Sequence, residues 1–164
     1  MANLDWVVPR IGKLETLTAQ YRGPKYLSAL VLCLTRLLEV RYAFIAEQLA
    51  DQPDSARAIV IADAQNLKES FTYKLAGVPC QTVLSGKPVT IDCKINEKFP
   101  SVRSIDAYCG HPLMAIDGHA LGLIAIEHTS QIAHPHEIAL ILQFLSGRVA
   151  AELECEQLRS QAKR

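Results

Sequence analysis

Two runs rich in β-forming residues, 108–116 and 120–128, are joined by Asp117-Gly118, and this joint limits the folding of the chain more than any other feature. Glycine accepts a positive φ at little steric cost and aspartate tolerates one, which is the chemistry of a tight turn between antiparallel strands. The middle of the chain is thereby committed to a hairpin. A second hairpin is expected upstream, where residues 41–49 and 58–62 flank the turn-rich DQPDS segment at 51–55. A third short strand is expected over 88–93, after the break at Ser85-Gly86.

Helical spacing appears on both sides of these strands. Leu27, Leu30, Val31, Leu34, Leu37 and Leu38 form one apolar face behind Pro24, a residue that the first turn of a helix tolerates. Ahead of it, Ile11, Leu14, Leu17 and Tyr21 make a weaker stripe ended by Gly23, a helix expected to lie outside the compact core. Pro135 opens a last helix with Ile138, Ile141, Leu142, Leu145 and Val149 on one face. Its continuation, LECEQLRSQAKR, is polar and has neither cap nor glycine stop, the pattern of a signalling helix or of the start of a linker. Between the hairpins, Pro79, Pro88, Pro100 and two glycines divide residues 66–106 into short elements. The order of elements predicts one α+β domain: an antiparallel sheet with the terminal helices packed on one face. The expected divisions are an N-terminal helix over 1–25, the domain proper over 26–152, and a signalling helix over 153–164.

Seventeen basic residues offset seventeen acidic ones, so there is no charge footprint of the kind that nucleic acid or an anionic membrane surface selects. The apolar stretches are too short or too interrupted to span a bilayer, and MANLDWVVPR lacks the parts of a secretion signal. A soluble cytoplasmic chain is expected. In that setting the five cysteines (33, 80, 93, 109 and 155), odd in number and without CxxC spacing, are expected to be free thiols.

The segment from Tyr73 onward carries a family resemblance. Tyr73, Leu75, Ala76, Gly77, Pro79, Cys80, Val83 and Leu84, then Phe99-Pro100, then Tyr108, Gly110, Pro112, Leu113, Gly118, Leu121, Gly122 and Ile124 fall where GAF domains place similar residues, with Val78 and Gln81 standing for the usual Thr and Glu. The chain resembles this sensory module of histidine kinases, diguanylate cyclases and other signal-transduction regulators over about residues 26–152. The resemblance implies a sheet of five to six strands, with an irregular ligand-pocket cover on the face opposite the terminal helices. It also implies dimerisation and output through those helices, and two-component signalling as one setting. A pocket is expected beneath residues 71–99 and against strands 44–47 and 108–114, with Phe44, Phe71, Tyr73, Cys80, Val83, Phe99, Tyr108 and His111 as candidate ligand-binding residues. Ordinary packing is the competing role for each of them. No cofactor is identified, and the ligand is an unspecified small molecule. A homodimer is expected because Phe144, Ala151 and Leu158 form a seven-residue repeat beside the core-facing stripe of the last helix.

Other chemistry competes less well. Cys109 and His111, two apart on a strand, share a face that suits a thiolate and an imidazole ligand, with Cys80 as a third donor, but the same positions suit simple packing; no metal is expected. Covalent bilin attachment is not expected, because Cys80 matches the Pro-Cys of GAF domains without chromophore. The cyclic-nucleotide signature is only partly echoed by Asn96, Lys98, Phe99 and Asp106. Free methionine-R-sulfoxide reductase uses cysteines on the same scaffold, so a reductase or redox switch built on Cys80 with Cys93 or Cys109 is the alternative to a non-catalytic sensor. Its Gly-His-Ile-Ala-Cys-Asp stretch is missing around residues 102–106. His128, His134 and His136 are read as loop or capping residues.

Overall fold

In the computed structural model, which describes residues 1–163, the central hairpin forms from β6 (Ala107–Met114) and β7 (Ala120–His128). Gly118 donates its backbone N–H to Ala115 and takes φ +92°, while the Asp117 carboxylate accepts from the His119 N–H. The loop is thus a turn closed by a left-handed glycine, as the Asp-Gly pair requires. Against β7 lies β1 (Tyr42–Leu49), which also pairs with β2 (Gln52–Asp63). The DQPDS segment is therefore largely strand, and the chain reverses just before Gln52. Pro53, which cannot donate to a ladder, is accommodated where the β1–β2 register shifts between Gln48 and Leu49, and its carbonyl accepts from the Gln48 side chain.

The sheet has seven antiparallel strands, more than the five to six expected, because β3 (Asn66–Lys68) and β4 (Phe71–Lys74) both pair with the outer edge of β2. Both are short and mostly exposed, so they carry little of the alternation that marks a half-buried strand. The order is β3-β2-β1-β7-β6-β5, with β5 (Val89–Ile91) at the far edge. This order dictates the cover. After β4 the chain stands at one edge and must reach the other to begin β5, and it crosses the sheet through α3 (Cys80–Leu84).

The opposite face is closed by α1 (Leu4–Thr18), α2 (Gly23–Leu37) and α4 (Pro135–Ala162). Leu27, Leu30, Val31 and Leu34 of α2 and Ile138, Ile141, Leu142, Leu145 and Val149 of α4 pack in one cluster with Ala43, Ile45, Cys109, Ile124 and Ile126 of the sheet. Alternate residues of the same strands, Phe44, Ala46, Tyr108, Leu123 and Ala125, join a second cluster under the cover with Leu75, Cys80, Val83 and Ile95. The sheet thus separates two cores, with helices on one side and short pieces on the other.

The first helix departs from expectation. Val7 and Leu14 of α1 are buried in the helix-side core, and the Arg10 guanidinium binds the Leu37 carbonyl at the end of α2. Of the stripe Ile11, Leu14, Leu17 and Tyr21, Leu14 is buried in the helix-side core and Ile11 and Tyr21 pack against it, whereas Leu17 is exposed and Val7 completes the inner face. Helix α4 is continuous to Ala162, and its far half is tied back to the domain: Glu152 accepts from the Gly23 N–H at 2.7 Å and Gln157 donates to Glu47 at 3.0 Å. Among the described residues, no helix is long and apolar enough to cross a membrane.

Candidate functional site

A cavity of about 380 Å³ opens between the cover and the sheet. Its floor is formed by Tyr42 and Phe44 of β1, Ala58 and Ile61 of β2, and Glu127 of β7. Ala58 and Ile61 are three apart, so strict alternation would place them on opposite faces. A bulge opposite Ile45 and Ala46 absorbs one residue and turns both toward the cavity. The roof and walls come from Phe71 and Tyr73 of β4, Val78–Cys80 at the start of α3, and Val102, Ser104 and Ile105. Gly77, at φ +79°, lets the chain turn from β4 toward α3, and its carbonyl accepts from the Ser101 hydroxyl, which holds the two halves of the roof together.

The polar groups in this apolar space are few. Cys80 is buried, and its thiol lies 3.4 Å from the Tyr108 hydroxyl. Burial pushes the Cys80 thiol up to about 11, although the hydroxyls of Tyr108 and Tyr73 favour its charged form. The start of a helix acts on a thiol in the opposite direction. Loss of water outweighs it, because so short a helix carries only a small dipole. The hydroxyl of Tyr73 is buried and close enough to interact with the Cys80 thiol, though without a hydrogen bond of ordinary geometry among the described residues, and desolvation, followed by the thiol, raises its pKa far above the ordinary tyrosine value. Glu127, half-buried at the cavity wall, is pushed up from 4.5 to about 7 by loss of water, with no hydrogen bond or ion pair among the described residues to offset it.

Of the eight candidate residues, Phe44, Phe71, Tyr73 and Cys80 line the cavity. Val83, Phe99 and Tyr108 lie behind them in the cover-side core. Tyr108 is fully buried with its ring across Gly110, so the expected wall 108–114 does not border the cavity. His111 is misplaced by the sequence reading. It alternates in phase with Cys109 and Leu113, both in the helix-side core, so it projects from the other face of the sheet, where its Nδ1 lies 2.9 Å from the Pro112 carbonyl. The same parity separates Cys109 and His111 from Cys80, which therefore cannot serve as their third ligand. It also removes Cys109 as a thiol partner for Cys80. Among the described residues, no group of three or more His, Cys, Asp or Glu side chains is placed to hold a metal ion.

Glu127 was missed. It ends a run that reads as plain core, LGLIAI, and a carboxyl at a strand end is ordinarily solvated. The available signal was phase: Leu123, Ala125 and Glu127 share one face of β7, the face turned to the cover.

The family model described as GAF domain matches residues 26–153. Among solved structures, the GAF domain of an Acinetobacter phosphoenolpyruvate-protein phosphotransferase is similar over 98% of this chain and 99% of its own, with TM-score 0.71 and 13% identity. The corresponding domain from Coxiella burnetii gives 98% and 99%, TM-score 0.72 and 12% identity. The chromophore-binding domain of a Stigmatella aurantiaca bacteriophytochrome is similar over 92% of this chain and 60% of that one, with TM-score 0.69 and 15% identity. At such identities the likeness concerns the fold. Comparison with curated proteins finds no match.

Proposed function

Because the chain belongs to the GAF domain family, we propose that it is a non-catalytic sensory domain that binds a small molecule in the cavity beneath α3 and β4 and transmits the event through its terminal helices. The observation that carries this reading is the cavity itself, apolar, of small-molecule size, and lined by a few polar groups, Tyr73, Cys80 and Glu127 among them. Its placement supports the same reading. Phe44 faces the cavity while its neighbours Ala43 and Ile45 pack against the helices, so a shift of β1 is felt on both sides. A ligand biases the helices only by binding one arrangement of this strand better than another.

Thiol chemistry is the weaker reading. A thiol held near 11 is almost wholly protonated at neutral pH, and the thiolate is the nucleophile in both disulfide exchange and bilin attachment. The proposal extends to a homodimer joined through α1 and α4, in a cytoplasmic setting, with neither nucleic acid nor membrane as partner.

A metabolite screen by thermal shift, repeated on Val78→Trp, tests the function. Ligands that raise the melting temperature of the native protein are expected to lose that effect when the indole fills the cavity, with the far-ultraviolet dichroism unchanged. A fluorophore on Cys155, exposed on α4, should report the same ligands. Binding that survives Val78→Trp would place the site elsewhere.

A further inference from the structure

The cavity is chemically biased. Its sheet wall carries the carboxylate of Glu127, half-buried and without an ion-pair partner among the described residues, and its roof carries the buried hydroxyl of Tyr73, which makes no hydrogen bond of ordinary geometry there. Phe44 and Phe71 line the same space. A carboxylate in apolar surroundings is costly unless a cation or hydrogen-bond donors accompany it. Aromatic faces attract a cation and leave an anion unassisted.

Resting on the reading of this cavity as the ligand site, the geometry points to a ligand that carries a cationic nitrogen on a small apolar body, with Glu127 as its counter-ion and the Tyr73 hydroxyl as a second acceptor. An ammonium group has several donors and no acceptor, so it serves both groups at once. An anionic ligand would instead meet Glu127 as a like charge.

The groups around Glu127 agree with this assignment. Tyr73 of β4, Cys80 of α3 and Tyr108 of β6 face it as neutral side chains, Tyr42 of β1 stands opposite it in register, and Lys68 and Glu69, which also line the cavity, carry opposite charges. The Lys68 ammonium leans toward Asp63, at 3.9 Å, and its side chain is mostly in solvent. On β7 itself, His128 projects from the other face and accepts the Arg41 N–H. Lys68 is thus drawn toward Asp63 and balanced in charge by Glu69, and a counter-ion for Glu127 is left for a ligand to bring.

The test uses 2-phenylethylamine, 2-phenylethanol and 3-phenylpropionate, which share an aromatic body and differ in charge, titrated into the whole chain and followed by NMR. The amine is expected to bind at least tenfold more tightly than the alcohol, and the acid most weakly. Only the ionised carboxyl is competent, and with its pKa at about 7 roughly one-eleventh of it is ionised at pH 6 and roughly ten-elevenths at pH 8, so amine affinity should rise about tenfold between them. The alkylammonium stays charged throughout. Glu127→Gln, close to isosteric, should abolish both the charge preference and the pH dependence. Equal affinity for amine and alcohol, or a preference that survives Glu127→Gln, would overturn the inference; so would absence of binding by all three. The sensory reading fails separately, when ligands found by the thermal-shift screen remain bound to Val78→Trp.

Discussion

Glu127 makes stability depend on pH. Its folded pKa, about 7, exceeds the ordinary 4.5, so between these values the folded state holds more protons than the unfolded state and stability falls as pH rises. Below about 4.5 both states are protonated and above about 7 both are ionised, so the loss is confined to that window. The full difference corresponds to about 3 kcal/mol, of the order of 1.4 kcal/mol for each pKa unit. Glu127→Gln is therefore expected to stabilise the ligand-free protein by up to that amount at pH 8 and to flatten this part of the profile, as read by urea denaturation at several pH values. Cys80 should behave as packing. Cys80→Ser leaves an oxygen beside the Tyr108 hydroxyl and is expected to change stability and ligand affinity by no more than about 1 kcal/mol in the same measurements. A response lost outright with stability unchanged would return the domain to thiol chemistry.

At the scale of elements, the glycines of β6 and β7 are needed for what passes over them. A Cβ on Gly122 would collide with the Ala46 carbonyl across the β1–β7 pair, and one on Gly110 would collide with the ring of Tyr108. Gly122→Ala is expected to cost about 3 kcal/mol, since the obstacle is backbone and cannot rotate away. Gly110→Ala should instead dislodge Tyr108 from Cys80, lowering ligand affinity as well as stability. Comparing chemical denaturation with ligand titration for the two variants separates these effects. The residue pattern around these glycines identified the family from sequence, and here it has a physical content: close strand approach at Gly122 and a seated tyrosine at Gly110. The short strands β3 and β4 had no comparable signature. They exist because the free edge of β2 offers unpaired backbone groups, and their residues show no alternation of their own.

For the molecule as a whole, the two faces of the sheet have different tasks. One holds the cavity, and the other holds three helices whose outer surfaces still expose Val8 of α1 and Phe144 and Leu158 of α4, at 62%, 58% and 59%. Phe144, Ala151 and Leu158 lie seven residues apart along α4 and are all exposed, as a helix-to-helix seam requires. Equilibrium sedimentation at micromolar concentration is expected to give a dimer, and Phe144→Glu with Leu158→Glu a folded monomer. A native monomer would remove the helices as a dimer seam.

The sequence by itself determined the elements whose cause is local. Asp117-Gly118 specifies a turn, Pro24 and Pro135 mark helix starts, and the spacing of Leu27, Leu30, Val31 and Leu34 identifies a buried helix face, because each depends on neighbours within a few positions. Tyr73 and Cys80 were legible as cavity residues through the segment that carries the family pattern, and Phe44 and Phe71 through the pocket that the resemblance implies. Only the tertiary structure decided that His111 faces the helices, that a bulge brings Ala58 and Ile61 to one side, and that Glu127 stands unpaired in the cavity. Alternation divides a strand into two faces without saying which one meets the helices. Nor does it say how much water a side chain loses, which is set by strands and cover brought together from distant parts of the chain.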